Sequence, residues 1–155
     1  MAKIDESELG DDFNYIIRLA DSDIDGLSRI GMGLTSVKGV GARTAMAICE
    51  IAGVDKEKLG GHLNDEELQQ IRDAIESYPS VVPLWMLNRQ RDIETGEEFH
   101  LFSMDVSMTQ DDDIARLRAT KAYRGLRHAA RKRVRGQRTR SNGRSGLTLG
   151  VQRKK

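Results

Sequence analysis

The sequence predicts a mostly α-helical protein with a short extended segment near its N-terminus, a long last helix and an extended basic C-terminal tail. Three observations carry that prediction. Apolar residues recur at helical spacing in several separate segments, and Gly and Pro punctuate the gaps between them. Charge then changes sign abruptly. Through Asp113 the 155-residue chain has 10 Lys+Arg against 24 Asp+Glu, whereas from Ile114 onward it has 15 Lys+Arg and no acid. A formal net charge of +1 therefore conceals an acidic body and a basic arm.

In chain order, residues 1–12 are polar and acidic, a composition that is frayed or disordered and unlike a signal peptide. Phe13, Tyr15, Ile17 and Leu19 alternate with Asn14, Ile16 and Arg18, which suits a strand with one buried face. Residues 21–26 (DSDIDG) are turn-rich. They lack the twelve-residue ligand pattern of a calcium loop, and Asp25 suits a helix N-cap. Leu27, Ile30, Leu34 and Val37 predict a short helix over 26–37, in which Gly31 and Gly33 require a closely packed neighbour. A second helix follows over 42–52, with Ala45, Ile48 and Ala52 inward and Gly53 as its stop.

Residues 54–59 suit one helical turn. Asn64 with Glu67 forms a capping-box pattern before a third helix, whose inner face is Leu68, Ile71, Ile75 and Tyr78 and which Pro79 is expected to end. Pro83 opens a short turn through Leu87, and residues 88–102 suit a hairpin or loop around Thr95-Gly96. A last helix is expected from about Thr109, with Asp111, Asp112 and Asp113 at the positive end of its dipole, to about Tyr123–Gly125. This organisation divides the chain into a flexible acidic segment (1–12), a helical body (13–123) and a basic extension (124–155).

Several function classes are excluded. Cys49 is the only cysteine, so no intrachain disulfide and no cysteine zinc site can form. His62, His100 and His128 share no ligand spacing, no catalytic motif occurs, and no cofactor or metal is expected. The longest apolar run, Val81 to Leu87, is too short to span a bilayer.

Two segments carry binding chemistry. In Lys38-Gly39-Val40-Gly41 the glycines let backbone approach a ligand. The next helix begins with free N–H groups that favour phosphate, and Lys38 and Arg43 add charge. A plain tight turn between packed helices would look the same. The second segment runs from Arg124 to Arg144. Arg124, Arg127, His128, Arg131, Lys132, Arg133, Arg135, Arg138, Arg140 and Arg144 supply charge-assisted donors, and Gln137 and Asn142 supply short polar groups for sugar and phosphate. Only Leu147, Leu149 and Val151 are apolar after Arg135. Burying three side chains at about 1.5–3 kcal/mol each cannot offset ordering some twenty residues at about 1–2 kcal/mol each, so this tail takes shape only on a polyanion.

The pair Arg124-Gly125-Leu126-Arg127-His128 and Val134-Arg135-Gly136-Gln137-Arg138-Thr139-Arg140 resembles the C-terminal signature of the universal small-subunit ribosomal protein thirteen family. Pro83-Leu84-Trp85-Met86-Leu87-Asn88-Arg89-Gln90 and Gly143-Arg144-x-Gly146-x-Thr148-x-Gly150-Val151 resemble its archaeal and eukaryotic branch, with an archaeal source favoured. The resemblance implies a helix-two-turns-helix body around the Gly-Val-Gly turn and a tail threaded through small-subunit head rRNA. It implies as partners neighbouring head proteins, large-subunit ribosomal protein five and large-subunit rRNA at an inter-subunit bridge, and peptidyl-site tRNA beside Arg153, Lys154 and Lys155. One departure stands out. The family usually carries Gly-Leu where this chain has Arg131-Lys132, which implies either a longer helix through Arg131 or a different bend. A helix-hairpin-helix DNA-binding accessory protein is the alternative function.

Overall fold

The computed structural model describes residues 13–140, which fall into two compact units divided between Met108 and Thr109. It is mostly helical, with one small sheet. Strands β1 (Ile16–Leu19) and β2 (Ser22–Asp25) pair antiparallel, Leu19 opposite Ser22 and Ile16 opposite Asp25. The expected strand is β1, but the DSDIDG segment is its hairpin partner rather than a loop. Ile17 and Ile24 face each other across the ladder and both are buried, which turns the acidic residues of β2 outward. The two-residue turn, Ala20-Asp21, has positive φ at both positions, the geometry that matches strand twist.

The helix expected over 26–37 is shorter. Helix α1 spans Ile30–Gly33, and a 3₁₀ turn continues it over Leu34–Ser36. Residues 28–31 bond instead to the segment 56–60: Ile30 N–H to Lys58 O (2.9 Å), Gly31 N–H to Lys56 O (3.1 Å) and Gly60 N–H to Ser28 O (2.9 Å). Asp25 therefore caps a turn and not the helix, accepting from Leu27 N–H at 3.0 Å. The same pairing reduces the helical turn expected over 54–59 to a bend held by Asp55, followed by a 3₁₀ turn at Gly60–His62.

Helix α2 (Ala42–Ala52) ends as its sequence predicts, with Gly53 in the left-handed region at φ 70°. Helix α3 (Asp65–Val81) opens on the capping box, where Glu67 accepts from Asn64 N–H (2.9 Å) and from Lys58 Nζ (2.6 Å). Those bonds, the Lys58 bond first, hold the Glu67 carboxyl below the usual carboxylate range. Pro79 does not end α3. It removes one N–H bond near the C-terminus, while Tyr78, fully buried, holds the backbone helical and Val82 N–H returns to Tyr78 O at 3.2 Å. Pro83 then opens a 3₁₀ turn over Leu84–Met86, and an antiparallel bridge between Arg89 and Phe99 closes the expected loop around Gly96. Within that loop Arg89 draws the Asp92 carboxyl down to about 2.

The core of the first unit is built from Leu19, Ile24, Ile30, Leu34, Val37, Ala45, Ile48, Ile71 and Tyr78, all at most 1% exposed. His100 sits at its edge, edge-to-face with Tyr78 at 4.9 Å between ring centroids. Its Nε2 lies 3.0 Å from Gly39 O, and its Nδ1 accepts from Asn88 N–H at 3.3 Å. A carbonyl only accepts, so the ring is the neutral Nε2–H tautomer. Burial lowers its pKa, and protonation would also turn Nδ1 against another donor. Above pH 6.5 the ring is neutral in folded and unfolded chains alike. Below 6.5 the unfolded chain binds a proton first, so stability is lost as pH falls from 6.5 through the folded value. We expect the denaturant midpoint of this unit to fall between pH 7.5 and pH 5, before Glu67 and Asp92 titrate, and His100→Gln to flatten that step.

The last long helix starts earlier than expected. Helix α4 spans Ser103–Ala119, so Asp111, Asp112 and Asp113 lie along its middle, not in its first turn. Its start is set by tertiary bonds: Ser103 N–H to Lys38 O at 2.8 Å, with the Ser103 hydroxyl 3.3 Å from that of Ser22. It also stops earlier, at Ala119, and a separate helix α5 (Tyr123–Ala129) follows a break. Among the described residues no helix is long and apolar enough to cross a membrane.

Candidate nucleic-acid interface

The two segments with binding chemistry lie in different units. In the first, Leu34, Val37, Val40, Ala45 and Ile48 are all buried, so the apolar frame of the Gly-Val-Gly motif is core. Its two glycines have different roles. Gly39 takes φ 89°, and a Cβ there would stand 2.3 Å from Leu101 O, so this glycine is demanded by the chain's own 99–103 segment. Gly41 is an ordinary extended N-cap at φ −96°, with nothing within 4 Å of a Cβ. No acidic residue occupies the first turn of α2, and Arg43 is exposed there. Lys38 reaches Ser107 Oγ at 3.0 Å and is otherwise in solvent.

The second segment begins in α5 (Tyr123–Ala129), and the charge changes sign ahead of it, within α4. Arg116 pairs with Asp113 at 2.7 Å. Beyond it, Arg118, Lys121, Arg124, Arg131, Lys132, Arg133, Arg135 and Arg138 are exposed and have no ion pair among the described residues. His128 and Gln137 are exposed among them, and Gln137 accepts from Arg135 N–H at 3.1 Å. Arg140 is exposed as well. Asn142, Arg144, Arg153, Lys154 and Lys155 lie outside the described residues, as does the acidic segment 1–12.

Two bends shape this basic run, and both are Schellman closures. At the end of α4, Lys121 N–H bonds Arg118 O (3.0 Å) and Ala122 N–H bonds Leu117 O (3.1 Å), with Lys121 at φ 54°. At the end of α5, Arg131 N–H bonds His128 O and Lys132 N–H bonds Arg127 O, both 2.9 Å, with Arg131 at φ 50°. The longer helix through Arg131 is not formed: α5 ends at Ala129 and the chain bends at Arg131. At the same position after α2 the chain uses Gly53. A non-glycine residue in the left-handed region costs about 1 kcal/mol or more, so the basic run keeps a cation at each bend against local strain. Arg131→Gly should therefore slow hydrogen exchange in α5, by about 1 kcal/mol of local stability, while removing one cation from the surface.

The apolar residue of α5 is not what seats it. Leu126 is 57% exposed and packs little. Gly125 makes the close approach instead: it is buried, and a Cβ there would meet Leu117 O at 2.3 Å. The absence of a side chain at Gly125 is what lets α5 lie against the end of α4.

Among the described residues no group of His, Cys, Asp and Glu could hold a metal ion. Burial raises the thiol pKa of Cys49 inside α2, which leaves it an inert core residue.

The arrangement is thus an acidic, well-packed unit joined to a second unit whose solvated surface is cationic from Arg118 onward. The family model for ribosomal protein S13/S18 matches residues 18–145. The chain is 46% identical over 144 residues to the small ribosomal subunit protein uS13 of Methanospirillum hungatei, covering 93% of this chain and 95% of that one. It is 46% identical over 147 residues to that of Methanopyrus kandleri, covering 93% and 97%. Against that of Archaeoglobus fulgidus it is 46% identical over 143 residues, covering 92% and 98%. A family match across most of the chain and archaeal relatives matched nearly end to end place the chain in the ribosomal protein S13/S18 family, on its archaeal side.

Proposed function

We propose that this protein is a structural, non-catalytic component of the small ribosomal subunit, and that its C-terminal basic segment binds rRNA of the subunit head. The observation that carries the reading is the run of eight exposed cations, Arg118 to Arg138, with no carboxylate among them to neutralise it. In solution such a face repels itself. Against rRNA each cation releases condensed counterions, and guanidinium forks match phosphate oxygens. Arg124, Arg131, Lys132, Arg133, Arg135, Arg138, Arg140 and Arg144 contact phosphates in this reading, with Arg127 and His128 in the same surface and Gln137 and Asn142 on sugar or phosphate.

The first unit supplies a second, smaller contact. Gly39 shapes the turn, while the free amides after Gly41, with Lys38 and Arg43, face a phosphate. The acidic remainder of this unit is repelled by RNA and turns toward proteins: neighbouring head proteins and, across the inter-subunit bridge, large-subunit ribosomal protein five with its rRNA. The tail end, Arg153, Lys154 and Lys155, reaches the peptidyl-site tRNA, and the setting is the cytoplasmic ribosome.

Deleting residues 135–155 tests the anchoring. The truncated chain should keep its helical spectrum and lose co-sedimentation with small subunits. Undiminished association would take residues 135–155 out of the anchoring and overturn the tail's part in the reading, leaving only the cations from Arg118 to Arg133.

A further inference from the structure

Arg127 differs from the other arginines between 124 and 140. It is only partly exposed, while Arg124, Arg131, Arg133, Arg135 and Arg138 are exposed. Its guanidinium is already engaged within the chain: Nε donates to Arg133 O at 3.0 Å and a terminal N–H donates to the same oxygen at 2.8 Å. Its carbon Cζ lies 5.9 Å from the centroid of the Tyr123 ring. Its own carbonyl accepts from Lys132 N–H at 2.9 Å. One residue thus closes the 127–133 bend twice, by backbone and by side chain, and rests on the first residue of α5 while doing so.

We propose that Arg127 is a positioning residue for the rRNA-binding segment: it clips the backbone at Arg133 and so holds Arg131, Lys132, Arg133 and Arg135 in one fixed presentation before RNA arrives. The inference rests on the rRNA-binding reading and adds to it a division of labour among the arginines. Its physical basis is that two parallel donors converging on one carbonyl need a planar fork. A lysine keeps the charge but presents a compact ammonium on a flexible stem, which cannot make the same pair. With the clip in place the ordering of residues 131–135 is settled in the free protein rather than on binding.

The test uses the full chain with Arg127→Lys and Arg127→Gln. Two quantities are read: ¹⁵N relaxation of amides 131–135 in the free protein, and the salt dependence of binding to a small-subunit rRNA transcript. Both variants should loosen amides 131–135 and bind about tenfold more weakly, the equivalent of ordering about one backbone residue. The two variants should share one salt slope, equal to wild type. If amides 131–135 stay rigid in both, the clip is not what holds the bend and the proposal fails. It fails equally if Arg127→Gln lowers the slope by about 0.7–0.9 relative to Arg127→Lys, because that marks a direct phosphate contact. Should the wild-type chain not bind the transcript at all, the parent reading fails, whereas the relaxation data still decide whether Arg127 holds the bend.

Discussion

Raising salt from 50 to 200 mM should weaken binding to small-subunit rRNA by about 10³–10⁵-fold. Eight exposed cations between Arg118 and Arg138 have no acidic partner among the described residues. If six or more meet phosphates, the affinity falls with salt at about 0.7–0.9 decades per decade for each contact. Among the described residues this surface has few apolar side chains. Tyr123 and Leu126 are its exposed large apolar residues, and Tyr123 stands beside Arg127. Filter binding across a salt series measures the slope directly. A near-flat slope would mean that the cations lie away from phosphates and that binding comes from the body. Single substitutions sharpen the result. Arg124→Gln and Arg138→Gln should each lower the slope by about one contact, without changing thermal unfolding of the first unit.

Much of this surface was legible in the sequence because charge is a property of composition, and composition survives folding. The sign change between Asp113 and Ile114 needs no structure to be seen. Helices α2 and α3 were legible for a related reason. Their stops and caps, Gly53 and the Asn64–Glu67 box, are local devices that act within four residues. What escaped was decided by distant partners. Ser103 starts α4 because its N–H meets Lys38 O, sixty-five residues earlier in the chain. The helix expected over 26–37 starts only at Ile30, because backbone groups of residues 28–31 bond to 56–60. Pro79 fails to break α3 because Tyr78 is locked against His100 and Phe102. The bends at Lys121 and Arg131 have no sequence signal at all, since the residue types there argue against the left-handed conformation they adopt.

The Gly-Val-Gly turn separates a folding requirement from a binding one, and the largest stability effect follows from it. Gly39→Ala should destabilise the first unit by about 3 kcal/mol or more. Two costs combine: a side chain at φ 89°, and a Cβ 2.3 Å from Leu101 O with Val106 Cγ2 at 3.2 Å on the same side. The obstructing atom is backbone, so no rotamer change relieves it. Moving Leu101 away would also disturb the Gly39 O contact with His100 and the Lys38 O bond that starts α4. Gly41→Ala meets none of this. Its φ is ordinary and the space is open, so the unfolding midpoint should stay within about 0.5 kcal/mol of wild type. What Gly41→Ala does change is access, because a methyl group at the N-cap stands beside the free amides of α2. If a phosphate seats there, this fold-neutral change should weaken rRNA binding, and Arg43→Gln should do so together with a loss of salt slope. If Gly41→Ala binds like wild type, the turn is a packing device only, and the basic run from Arg118 carries the whole RNA contact. Chemical denaturation and filter binding on the same two variants distinguish these outcomes, because stability reads Gly39 and affinity reads Gly41.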